Sequence, residues 1–124
     1  MLFRSPAPQV DNLSHHPAVP HPADVVKVSA QVFSAAPLRS VWLVHRADRA
    51  DGSAPWQRKP MQPDLVAGYG SFAAELTEYR TNSQVVQFYV EAIAENGESA
   101  VLPRGGAERP ALFVVDERDR KSVV

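Results

Sequence analysis

Several clusters in this sequence have the residue types of a chemical site. His15, His16 and His21 are imidazoles of the kind that bind zinc or nickel, with Asp11 and Asp24 near enough in the chain to add oxygens. The prolines between them hold the segment extended, so neighbouring rings point apart, and the expectation is a solvated leader with no metal bound. Asp48 and Asp51, with nearby backbone carbonyls, offer oxygens to calcium, but Arg46 and Arg49 are interleaved and favour a solvated hairpin tip. Gly68-Tyr69-Gly70-Ser71-Phe72-Ala73 fits the G-x-G-x-x-[GA] pattern of dinucleotide sites. That chemistry needs the glycines to follow a strand and open a helix, whereas here they lead into a strand. Glu91, Glu95 and Glu98 lie around one hairpin as rim charges, and no strained nucleophile elbow is present. The expectation is therefore no catalytic residue, no metal and no cofactor.

Aromatic side chains are the remaining candidates. Rings stack on the C–H faces of sugars, and Trp42, Trp56, Tyr69 and Tyr89 are available for it. Trp56 and Tyr69 form the candidate carbohydrate platform, because the short, proline-flanked segment holding Trp56 is poorly placed to bury a whole indole.

The elements that would position these groups read as strands. Residues 25–33 alternate, with Val26, Val28, Ala30 and Val32 on one side and Lys27, Ser29 and Gln31 on the other, the period of a half-buried strand. Residues 40–46 are β-branched and aromatic, and 56–61 is a short edge strand between prolines. Residues 70–76 alternate, and a helix over 71–79 is the weaker competitor because it is short and uncapped. Residues 85–94 form the strongest strand, with Val86, Phe88, Val90 and Ala92 sharing a face. Asn96-Gly97 predicts a type I′ hairpin turn into a strand over 98–102. Segments at 9–13 and 111–115 bring the total to about seven. Short strands separated by turn signals predict an antiparallel sandwich or barrel, not βαβ units. The expected organisation is a flexible leader over 1–8, one domain over 9–115 and a charged tail over 116–124.

Composition narrows the function classes. The 124-residue chain has the size of one domain, and its lack of cysteine removes disulfides and thiolate sites. A formal net charge of −1 supplies no field to attract nucleic acid or an anionic membrane, so neither partner is expected. No apolar run is long enough to span a bilayer, and the opening MLFRSPAP has no apolar core of a signal peptide.

Strand bookkeeping places one surface of interest. With Val86, Phe88, Val90 and Ala92 inward, Val85, Tyr89 and Ile93 face out. With Val41, Leu43 and His45 inward on the strand beside it, Trp42, Val44 and Arg46 also face out. Trp42, Val44, Val85, Tyr89 and Ile93 would then make an apolar stripe that fits a partner. The opposite orientation, Trp42 inward with Val41 and Leu43 outward, stays open.

The segments Val10 to Pro20 and Asp24 to Val28 resemble the start of bacterial immunoglobulin-like modules, "SNVSHSPAVP" followed by "DPVTVTA". Residues 40–46 resemble their "SVTLHYR", 56–61 "WTSVPM", 86–92 "VQFYVQA" and 109–115 "SRALYVV". His45 stands where those modules tend to place an aromatic residue, and the loop from Ala47 to Pro55 is longer than theirs. Such modules accompany spore-coat-H-like kinase and lamin-tail domains in secreted or surface proteins. The resemblance implies an antiparallel β-sandwich of the immunoglobulin/fibronectin-III type with about seven strands, an extracellular or cell-surface location and no catalytic residues. The expected function is a non-catalytic spacer or protein-interaction module, with carbohydrate binding as the alternative. Expected partners are neighbouring domains of a parent protein or another protein, with polysaccharide or a second copy in a weak homodimer beside them.

Overall fold

The computed structural model describes residues 7–49 and 54–117. Among these residues the strands are β1 (Gln9–His16), β2 (Val26–Phe33), β3 (Leu38–Asp48), β4 (Gln57–Pro60), β5 (Gln62–Pro63), β6 (Ser71–Leu76), β7 (Val85–Ala94), β8 (Ser99–Leu102) and β9 (Ala111–Val114), with a 3-10 turn, η1 (Gly106–Glu108). One antiparallel sheet has the order β1-β2-β6-β5; the other has β4-β3-β7-β8, with β9 also pairing β7. Because β9 meets residues 85–88 of β7 and β8 meets 90–93, the two share one edge of that strand end to end.

The alternation of each long strand supplies one shared core. Val26, Val28, Ala30 and Val32 of β2 and Ala74 and Leu76 of β6 meet Val41 and Leu43 of β3 and Val86, Phe88, Val90 and Ala92 of β7. Two antiparallel sheets burying their inner faces against each other make an all-β sandwich. The sheet from β2 to β6 settles the competition over residues 71–79. Val26 pairs Leu76, Val28 pairs Ala74 and Ala30 pairs Phe72, so cross-strand burial decides for strand.

The edge strand expected over 56–61 is β4, which ends at Pro60. Met61, 5% exposed, turns into the core between β4 and β5 and its N–H donates to the Val41 carbonyl at 2.8 Å. The chain thereby leaves one sheet and joins the other, which adds the two-residue β5 that periodicity could not show.

The Asn-Gly turn differs from expectation. A type I′ turn needs positive φ at both central residues, but Gly97 has φ +87° and Asn96 is not in that region. The Gly97 N–H donates to Ala94 O at 3.0 Å and the Ala94 N–H to Glu98 O at 2.9 Å. This is a three-residue loop closed by a left-handed glycine, and the Asn96 side-chain oxygen accepts from the Glu98 N–H at 3.0 Å. Gly70 has its own reason to be glycine. Its φ is +85°, and a Cβ there would lie 3.3 Å from the Val32 carbonyl oxygen.

The expected leader and tail lie largely outside the described residues. Within them, Pro8 is buried, the Asp116 N–H donates to Pro20 O and the Glu117 N–H donates to the Asn82 side chain. No described helix is long and apolar enough to cross a membrane.

Candidate functional site

The orientation of β3 resolves the surface. Val41 is 4% and Leu43 0% exposed in the core, so Trp42, Val44 and Arg46 stand on the outer face. On that face Val44 lies between Arg58 of β4 and Tyr89 of β7, and Arg46 lies beside Gln87. Val44 is only 2% exposed although it faces away from the core, which means its long neighbours cover it.

Those neighbours pair cations with rings. The Arg58 guanidinium carbon sits 4.3 Å from the Trp42 ring centre, and that of Arg46 sits 4.2 Å from Trp56. Trp56 meets Tyr89 edge to face, with centres 5.2 Å apart and an interplanar angle of 72°. The Arg46 Nε–H donates to the Gln87 side-chain oxygen at 2.8 Å, which fixes the guanidinium over the indole. Each cation–π contact contributes about 0.5–2 kcal/mol, depending on how far the charge is dried. Burial first, then Glu91, pushes the Tyr89 phenol upward, and Arg58 opposes that shift.

All five residues of the expected stripe lie on this face, but they are not one apolar strip. Glu91 separates Ile93 from Tyr89, and the Arg46–Gln87 row separates Tyr89 from Val85. Sequence reasoning missed Arg58 and the place of Trp56. Continuing the β3–β4 register by one step sets Trp56 opposite Arg46, a relation that no local spacing shows.

The carbohydrate platform is not assembled. Trp56 precedes β4 of one sheet, while Tyr69 lies in the connection before β6 of the other. Tyr69 is 94% exposed at the rim of a groove of about 690 Å³ that Phe33, Leu38, Leu65 and Phe72 also line.

The other clusters disperse as well. His15 packs edge-on to Phe88 at 5.7 Å and beside Phe113 at 5.4 Å, whereas His16 is exposed. A His21 ring nitrogen meets the Glu117 carbonyl at 3.1 Å. Among the described residues no group of three metal-ligating side chains converges. Asp51 of the candidate calcium loop lies outside the described residues, and the glycine pattern opens β6, a strand.

Beneath the face lies a polar pair that sequence spacing did not suggest. His45, 1% exposed, meets the Tyr79 hydroxyl through Nδ1 at 2.6 Å, with the rings edge to face. Burial pushes His45 below the usual imidazole range, and the nearby Glu78 carboxylate opposes the shift while Lys59 adds to it. Burial pushes Tyr79 up to about 12. Lys59 ties this corner together, donating to Glu75 O at 2.7 Å and to a Glu78 carboxylate oxygen at 3.1 Å.

No family model matches the chain, and no curated protein matches it. Among solved structures it is similar to the Pseudomonas fluorescens alkylpurine DNA glycosylase AlkC bound to DNA containing an abasic site analog, with 18% identity and a TM-score of 0.48. The match covers 89% of this chain and 30% of that one, so the chain spans under a third of the length of the glycosylase. That neighbour is an enzyme and is bound to DNA, whereas the expectation for this chain was a non-catalytic spacer or carbohydrate module with no nucleic-acid partner. Net charge bears on long-range attraction to phosphates and not on stacking against bases. The likeness itself assigns this chain no activity.

Proposed function

We propose that this chain is an immunoglobulin/fibronectin-III-like domain that holds single-stranded or unstacked nucleic acid on the outer face of the β4-β3-β7-β8 sheet. The strand order supports the fold assignment: β3 and β7 are central partners in one sheet and β2 and β6 in the other, as sandwiches of that type are wired. One observation carries the functional reading. Two indoles, each with a guanidinium over its ring, and a phenol lie together, partly exposed, on the outer face of one sheet.

Unpaired bases are recognised by stacking on aromatic rings and on arginine planes, and duplex DNA hides those base faces. Arg58 is exposed, and among the described residues its guanidinium has no carboxylate partner, so its plane and its N–H donors are available to a base and a phosphate. With two arginines and a net charge near zero, affinity comes from short-range stacking more than from counterion release.

Tryptophan fluorescence titrated with an eight-nucleotide thymidine oligomer tests this reading, with a duplex of equal length as comparison. Saturable quenching by the single strand, weakened by Trp56→Ala and absent with duplex, is the expected result. An unmoved signal at low salt with both ligands would sink the proposal.

A further inference from the structure

The β6–β7 connection, residues 77–84, passes from one sheet to the other and is fastened at several points. The Ser83 N–H donates to Val115 O at 2.7 Å at its far end, and Lys59 holds Glu78 at its near end. Between them Tyr79 reaches inward to His45 on β3, which is buried to 1% exposure. No role on the outer face uses this pair, since His45 points to the opposite side of β3 from Val44 and Arg46.

We infer that the His45–Tyr79 hydrogen bond is an acid-released latch that holds the β6–β7 connection against the sandwich. Tyr79, with its phenol pushed up to about 12, keeps its proton at ordinary pH, and in the latch it donates that proton to Nδ1 of the His45 tautomer protonated at Nε2. Protonation of His45 ends its role as acceptor, so the contact survives only if the phenol oxygen accepts instead, and it places a cation where water barely reaches. The charged groups facing it are Glu78, which favours the cation, and Lys59, which opposes it. Glu78 is the stronger of the two, its pairing with Lys59 at 3.1 Å offsets part of its effect, and burial outweighs both. On the β7 side the register partner of His45 is Phe88, and on the β4 side it is Gln57, and neither carries charge.

The direction follows from linkage. The folded protein holds His45 below its usual value, whereas the opened connection lets it titrate near about 6.5. The open state therefore binds more protons as pH falls through that range. Closure is at full strength above about pH 6.5 and weakens below it, and the weakening ends once pH has fallen past the folded value. Opening rises by up to about tenfold per pH unit in between.

The test is an NMR titration of the full chain, following the His45 ring and amide exchange over residues 77–84 corrected for intrinsic rates. The expected result is a His45 midpoint below 6.5 and an opening equilibrium that rises several-fold between about pH 7 and pH 5.5. His45→Phe should abolish that pH dependence. Should that variant not fold, Tyr79→Phe keeps the ring and removes the hydroxyl. It should open the connection at pH 7 and move the His45 midpoint up. A wild-type midpoint at or above 6.5, or an opening equilibrium equal at both pH values, overturns the latch.

Discussion

The salt dependence of oligonucleotide binding can be worked from the outer sheet face. Its guanidiniums are Arg46 and Arg58, each already seated on an indole. If each neutralises one phosphate, two counterions are released, and for a single strand log K falls with log salt at a slope of about −1.4. Raising salt from about 50 to about 200 mM should therefore weaken binding only about sevenfold, against the ~10³–10⁵ lost by proteins with many phosphate contacts. Arg58→Ala should halve the slope, so that the same salt step costs about two- to threefold. Trp56→Ala acts on the other component. It removes a ring together with its contacts to Tyr89 and Arg46 and should weaken binding by about 1–3 kcal/mol with the slope unchanged. The assay is the same fluorescence titration repeated across four salt concentrations for the three proteins. A wild-type slope steeper than about −3 would place the phosphate contacts elsewhere on the molecule and refute the assignment of this face.

Three further outcomes test the packing. Phe88→Ala, at a 1% exposed ring that touches His15 and Phe113, should lower unfolding free energy by about 3–5 kcal/mol in a denaturant titration. Val44→Thr puts a hydroxyl where outer-face neighbours exclude water and should cost about 1–3 kcal/mol by the same measurement; a harmless substitution would show the face to be open there. Gly97→Ala meets nothing within 4 Å, so its cost should be the left-handed backbone alone, about 1–2 kcal/mol, read as a lower melting temperature.

What could be read in advance follows from how each feature is encoded. The strand expected over 85–94 and the alternation of β2 matched the structure, because one face of each is buried and a period of two records that burial directly. The orientation of β3 is ambiguous in the sequence for the same physical reason. Val41, Trp42, Leu43 and Val44 are all apolar, and the outer face buries Val44 as thoroughly as the core buries Val41, so alternation carries no sign there. The turn at Asn96-Gly97 departs from type I′ because a dipeptide does not give the loop length. Strand pairing does, and it sets three residues between Ala94 and Glu98.

The groups that matter most to the functional reading are further from local pattern still. Trp56 reaches Arg46 through the register of two strands joined by a loop, and His45 meets Tyr79 across a separation of 34 residues. Neither distance is set by composition or by period. Both pairs are nonetheless anchored by β3, whose alternation sends Arg46 outward and His45 inward from adjacent positions. A perturbation at one should therefore reach the other through a single peptide unit. If the acid-released latch and the base-stacking face both exist, lowering pH below about 6.5 should weaken oligonucleotide binding in the wild-type chain, while His45→Phe should bind equally at both pH values. Loss of binding at low pH that persists in His45→Phe would separate the two features and leave the stacking face independent of the latch.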